Sequence, residues 1–207
     1  FENTNANENH KQLKIMVILF CSVILVMLSF LLAYKLAVVI FPFNSEQQLV
    51  MNFLQSPAEY RSSLIVAGAS NLEVKHLIDV AALMQIIDLF IIPELVIGLL
   101  LLILAGHLGK KTIRSALRLS AIGGVALATT LGLLSIFLFD KSFDIFHQIY
   151  FPQGNYQFSA DSFLIQSMPA EMFFHLGLLI FLFALIIQGL YLLSSYLITT
   201  RRRRSRV

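Results

Sequence analysis

Residues 15–34 read IMVILFCSVILVMLSFLLAY, twenty positions without a single charge. A helix crossing ~30 Å of hydrocarbon needs about 20 predominantly apolar residues at ~1.5 Å of rise each. This stretch meets that length, and the apolar run continues to about residue 41. Three further segments qualify, at about 82–105, 116–139 and 172–198. The chain of 207 residues is 57% hydrophobic and only 13% charged. Too little polar surface is available to cover so much apolar area in water. The sequence therefore predicts an all-α integral membrane protein with four transmembrane helices, organised as a single membrane domain over 1–207. The first span reads as a retained anchor rather than a cleaved leader. Its apolar run is about twice the length of a signal h-region, and no small-x-small site follows it. Cys21, the one cysteine, lies inside that span and reads as a small core residue, so no disulfide forms within the chain.

Charge placement orients the spans. Lys11, Lys14, Lys110, Lys111, Arg114, Arg118, Arg201, Arg202, Arg203, Arg204 and Arg206 are 11 of the 15 basic residues. In a four-span arrangement all of them fall on one side, whereas the opposite loops hold only Arg61, Lys75 and Lys141. The positive-inside rule then predicts both termini and the loop between spans two and three in the cytoplasm. The arginine tail reads as a stop-transfer flank that attracts anionic headgroups, not as a nucleic-acid site.

The two loops expected outside, 42–81 and 140–171, are long for helical hairpins and too aromatic for solvated linkers. Together they predict an extracellular cap resting on the outer leaflet. Ser70-Asn71-Leu72-Glu73 has the pattern of a capping box, opening a helix that carries KHLIDVAALM and runs on into span two. Pro152, Gly154 and Asn155 mark a tight turn between two short aromatic segments. Within the spans, Glu94 and Gln188 fall at similar depth and are expected to hydrogen-bond, since an unpaired carboxylate in hydrocarbon is costly. Ser120, Gly124, Ala128 and Gly132 recur every fourth residue, a stripe that lets helices approach closely.

Two of the five histidines stand apart. His10 and His107 sit in polar segments on the basic side, and His175 reads as an interfacial residue. His76 and His147 lie one in each outer loop, near the expected membrane boundary. Asp79 stands three residues after His76 and Asp144 three before His147, spacings at which helical side chains meet and a carboxylate can orient an imidazole. No G-x-S-x-G, H-E-x-x-H, Walker or C-x-x-C pattern is present. The two histidines have no third metal ligand at local spacing.

At these residues the chain resembles the bacterial lipoprotein intramolecular transacylase (Lit) family. The matching stretches are HLIDV (76–80), FDIFHQIYFPQGNYQF (143–158) and DSFLIQSMPAEMFF (161–174), in that order around four spans. One departure is Tyr156, where the family more often carries tryptophan. The resemblance implies an acyltransferase of the bacterial cell membrane with its active site on the outer face. Its partner there is a lipoprotein whose N-terminal cysteine carries a diacylglyceryl thioether and a free α-amine. The sn-2 acyl chain would move from glycerol oxygen to that amine, giving a lyso-form lipoprotein without cofactor or metal. Such a transfer is downhill, and its difficulty is the bend that brings amine and ester together, which a confined pocket eases through proximity. An α-amine titrates near ~7.7–8.0 and an ordinary imidazole near ~6.5, so histidine is matched to take the amine proton. By carry-over His76 and His147 are the catalytic pair, one as base and the other as acid or oxyanion donor. Phe146, Tyr150, Phe151, Asn155 and Tyr156 would line the substrate pocket, with Asn155, Gln153 and nearby amides as oxyanion donors. Two competing functions are a non-catalytic transporter subunit or assembly partner, and an acyltransferase drawing on a separate phospholipid donor.

Overall fold

A computed structural model describes residues 2–204, with side chains from 7 to 198. Arg206 of the basic tail lies outside the described residues, as do the side chains of Arg201 to Arg204. Among the described residues there are seven helices and no strand: α1 (Glu2–Ile40), α2 (Ser45–Gln55), α3 (Pro57–Val66), α4 (Asn71–His107), α5 (Lys110–Tyr150), α6 (Phe163–Ser167) and α7 (Ala170–Arg204). Four of them, α1, α4, α5 and α7, are long and apolar enough to cross a membrane. The chain is a multi-pass membrane protein.

Each expected span lies within one long helix, apart from Phe41 just past the end of α1, but the helices exceed the spans. α4 begins at Asn71, well before the apolar run, because the capping box forms. Ser70 Oγ accepts the Glu73 amide at 3.3 Å, and the Glu73 carboxylate accepts the Ser70 amide at 2.7 Å. α5 runs on past the predicted end of span three to Tyr150, with non-helical angles at Leu138 alone. No helix breaker occurs between Leu138 and Pro152, and proline disfavours helical geometry at the residue before it, Phe151. Much of the stretch read as loop is thus a helical arm that carries His147.

The chain divides into two compact units, and each of the four long helices contributes to both. The first comprises Phe1–Leu36, Phe90–Leu131 and Ile180–Val207. Its core joins Cys21, Leu25, Ala116 and Leu117, with a second group of Ala33, Ala128 and Ala184. Ser120, Gly124 and Ala128 are buried, as expected of a packing stripe. Gly124 has a particular reason to lack a side chain: a Cβ there would run into Gln188. Gln188 is fully buried and does not pair with Glu94 as the sequence suggested. Its amide nitrogen donates to Ser29 Oγ at 2.5 Å and its oxygen accepts from Ser120 Oγ at 3.4 Å. Those two hydroxyls occupy both ends of the amide, while Glu94 Oε2 is buried with no hydrogen-bond partner among the described residues.

The second unit comprises Ala37–Leu89 and Gly132–Leu179. Here the two long connections build one shared core. Val50, Met51, Phe53 and Leu54 of α2 and Leu64 of α3 pack with Val74, Leu77 and Ala81 of α4 and with Leu164, Met168 and Met172. Glu73, only 2% exposed, ties the two connections covalently far apart, because its Oε1 also accepts the Leu164 amide at 2.6 Å. One carboxylate thereby satisfies open first-turn amides around both α4 and α6, through charge-assisted bonds stronger than neutral ones.

Candidate active site

His76 lies on the second turn of α4, on the same face as Glu73 one turn earlier. That face is turned inward by Val74 and Leu77, and His76 itself is only 5% exposed. His147 comes from the arm of α5 beyond Leu138 and is half-buried. The two rings stack with centroids 6.1 Å apart and planes at 30°. Residues separated by 71 positions in sequence therefore form one pair, and both belong to the second unit.

Aromatic rings wall the pair. Phe151 lies 4.7 Å from His76 and 5.7 Å from His147. Phe158 closes on His76 at 5.7 Å, and Tyr156 on His147 at 5.0 Å. Phe146 meets His147 edge-on at 5.4 Å. Tyr150 lies one ring further out, 4.7 Å from Phe146. Two neighbours were not singled out from sequence. Phe158 touches His76, and Phe143 lies 4.3 Å from His147. The helical spacing of Phe143, four before His147, was the available signal for the second.

The polar partners differ from those the spacing suggested. His147 Nδ1–H donates to the Phe143 carbonyl at 2.7 Å. A carbonyl only accepts, so this bond places the proton on Nδ1 and leaves Nε2 with its lone pair in the neutral ring. Asp144 does not orient His147; it accepts from Gln148 Nε2 at 2.7 Å. Asp79 is held by two side-chain amides from around the predicted turn. Its Oδ2 accepts from Asn155 Nδ2 at 2.6 Å and from Gln153 Nε2 at 3.2 Å. Each amide group proposed as an oxyanion donor thus gives one N–H to Asp79 and keeps a second. A carboxylate cannot donate, so Asn155 must turn its NH₂ to Asp79 and keep its oxygen free. That oxygen and His76 Nδ1 are both buried without a hydrogen-bond partner among the described residues. Burial, and then the neighbouring His147, hold the His76 pKa below the ordinary imidazole value, while Asn155 and the Asp79 charge oppose that shift. Asp79 and Asn155 thus stand bonded to each other among the groups that act on His76.

The predicted turn positions Asn155. The Gly154 amide donates to the Phe151 carbonyl at 3.0 Å, and Gly154 has φ +72°. Left-handed backbone is costly for residues with a Cβ, so glycine here lets the chain reverse and bring Asn155 back to α4. Of the remaining histidines, His175 packs against Phe174 at 5.6 Å, and His10 and His107 belong to the first unit. Among the described residues no three His, Cys, Asp or Glu side chains converge as metal ligands.

A multi-pass helical membrane protein with a stacked histidine pair set among aromatic rings is thereby defined. The chain belongs to the lipoprotein intramolecular transacylase Lit family, whose sequence model matches residues 12–174. That membership places it among membrane transferases of lipoprotein modification. A solved structure with the same fold is the in meso structure of the membrane integral lipoprotein intramolecular transacylase Lit from Bacillus cereus, carrying a histidine-to-arginine mutation. The two align with a TM-score of 0.75 at 19% identity, over 99% of this chain and 100% of that one. Comparison with curated proteins gives no significant match.

Proposed function

We propose that this protein moves the sn-2 acyl chain of an S-diacylglyceryl lipoprotein to the α-amine of its N-terminal cysteine, acting on one membrane-anchored substrate at a time. The observation that carries this reading is the stacked His76–His147 pair, 6.1 Å apart and walled by rings, in a chain of this family. His76 is the base. As the neutral amine nitrogen attacks the ester carbonyl carbon, Nε2 of His76 takes the proton that nitrogen sheds, and an Asp79–Asn155 relay steadies the resulting imidazolium from behind, as a triad carboxylate does for its histidine. His147, acting as the imidazolium with Nδ1–H kept on the Phe143 carbonyl and a second proton on Nε2, stabilises the oxyanion and gives that second proton to the glycerol oxygen as the carbon–oxygen bond breaks. One amine proton is lost and one hydroxyl proton gained, so ester and amine become amide and alcohol with no further reactant. The proton returns from His76 to His147 once product leaves.

The product is an isomer of the substrate, so the test must read position rather than mass. Purified protein in detergent is expected to convert a synthetic diacylated lipopeptide with no phospholipid added. Fragmentation mass spectrometry then finds an acyl chain on nitrogen, and amine-reactive labelling is lost. Conversion only after adding phospholipid would transfer the case to a separate-donor acyltransferase. No conversion in either condition would remove the transacylase reading.

The proposed setting is the bacterial cell membrane, with both termini cytoplasmic and the histidine pair in a cap on the outer face. The uneven distribution of basic residues supports this orientation. In a Cys21→Ser background, cysteines introduced at the exposed Ser62 and Ser159 are expected to react with impermeant reagent added outside intact cells. Reaction only from the cytoplasmic side would invert the topology.

A further inference from the structure

The first unit contains a groove of about 550 Å³ that shares no residue with the histidine site. Arg114 and Arg118 of α5 line it, with Gly189, Leu192, Leu193, Ser195 and Tyr196 of α7 opposite. We propose that this groove binds an anionic phospholipid, its phosphodiester held by the two guanidinium groups and an acyl chain lying along the leucines.

Three observations support that occupant. The arginines stand four residues apart in the first turns of α5, a spacing that puts both on one helix face and within reach of a single phosphate. Guanidinium forks suit phosphate oxygens better than an ammonium does. Counter-charge is also scarce within the chain. No aspartate or glutamate occurs between Glu94 and Asp140, or anywhere after Glu171. In the first unit the carboxylates are only Glu2, Glu8 and Glu94. Finally, the opposite wall is oily rather than polar. Leu192, Leu193 and Tyr196 are all exposed large side chains, and tyrosine favours the level where headgroup meets hydrocarbon. A soluble anion would leave those leucines unused, whereas a lipid uses both halves of the groove. Gly189 keeps the floor open, since a Cβ added there meets nothing within 4 Å.

Native mass spectrometry of the full chain, exchanged into detergent with equal phosphatidylglycerol and phosphatidylcholine, tests the proposal. Wild-type protein is expected to retain phosphatidylglycerol at least about tenfold over phosphatidylcholine. Arg114→Gln with Arg118→Gln should abolish that preference, while Arg61→Gln, in α3 of the other unit, should keep it. Gly189→Leu provides an independent arm. It fills the groove without touching either arginine and should lose the lipid while the protein melts at its usual temperature. Equal phosphatidylglycerol retention by wild type, the double variant and Gly189→Leu would overturn the proposal. Displacement of the lipid by inorganic phosphate at matching concentration would overturn it too, by assigning the groove to a soluble anion.

Discussion

His76→Ala and His147→Ala are each expected to lower the rate of acyl migration by about 10²–10⁴-fold, the usual contribution of a positioned acid or base. The rings stack on each other, so in the proposed mechanism they act on the same bound head group. Groups that act as a unit lose their effects together rather than independently. The double variant should accordingly be little slower than the poorer single one. Asparagine at either position keeps some hydrogen bonding but cannot shuttle a proton near neutral pH, so His76→Asn and His147→Asn should also be impaired. His10→Ala and His107→Ala, in the other unit, should convert substrate at the wild-type rate. Fragmentation mass spectrometry of the lipopeptide N-terminus reads all of these. Near-wild-type conversion by a folded His76→Ala or His147→Ala protein would end the two-histidine mechanism.

Breaking the relay behind His76 should cost about 10–100-fold in turnover, the range seen when a histidine loses its orienting partner at metal sites. Asn155→Leu removes the amide that bonds Asp79 and favours the protonated His76, and Asp79→Asn removes the acceptor that fixes which way that amide turns. In the second case the Asn155 amide is free to turn its NH₂ toward His76, which favours the wrong tautomer. A positioning role predicts that kcat falls while KM changes little, because neither side chain need touch the acyl chains. A purely structural role predicts instead a lowered melting temperature and a fall in kcat/KM that tracks it. Asp144→Asn is the matched control, since Asp144 serves Gln148 and not His147. Equal losses in Asp79→Asn and Asp144→Asn would dismiss the relay.

The sequence by itself determined the membrane class, the four spans, the start of α4, the turn at 152–155 and the two histidines worth attention. Each of these rests on neighbours in the chain. Hydropathy is summed over consecutive residues, a capping box closes between Ser70 and Glu73, and a turn is written in Pro152 and Gly154. Even the length of α5 was legible in principle, because nothing before Pro152 stops it. Choice of partner was not legible. Sequence spacing offered Asp79 to His76, Asp144 to His147 and Gln188 to Glu94, and in each case another group took the place. Asn155 and Gln153 take Asp79, a backbone carbonyl holds His147, and Ser29 and Ser120 occupy Gln188. A donor satisfies the nearest well-aligned acceptor, and which acceptor that is depends on how distant segments pack. Only the tertiary structure could bring residue 155 to residue 79, or the amide of Leu164 to a carboxylate 91 positions earlier.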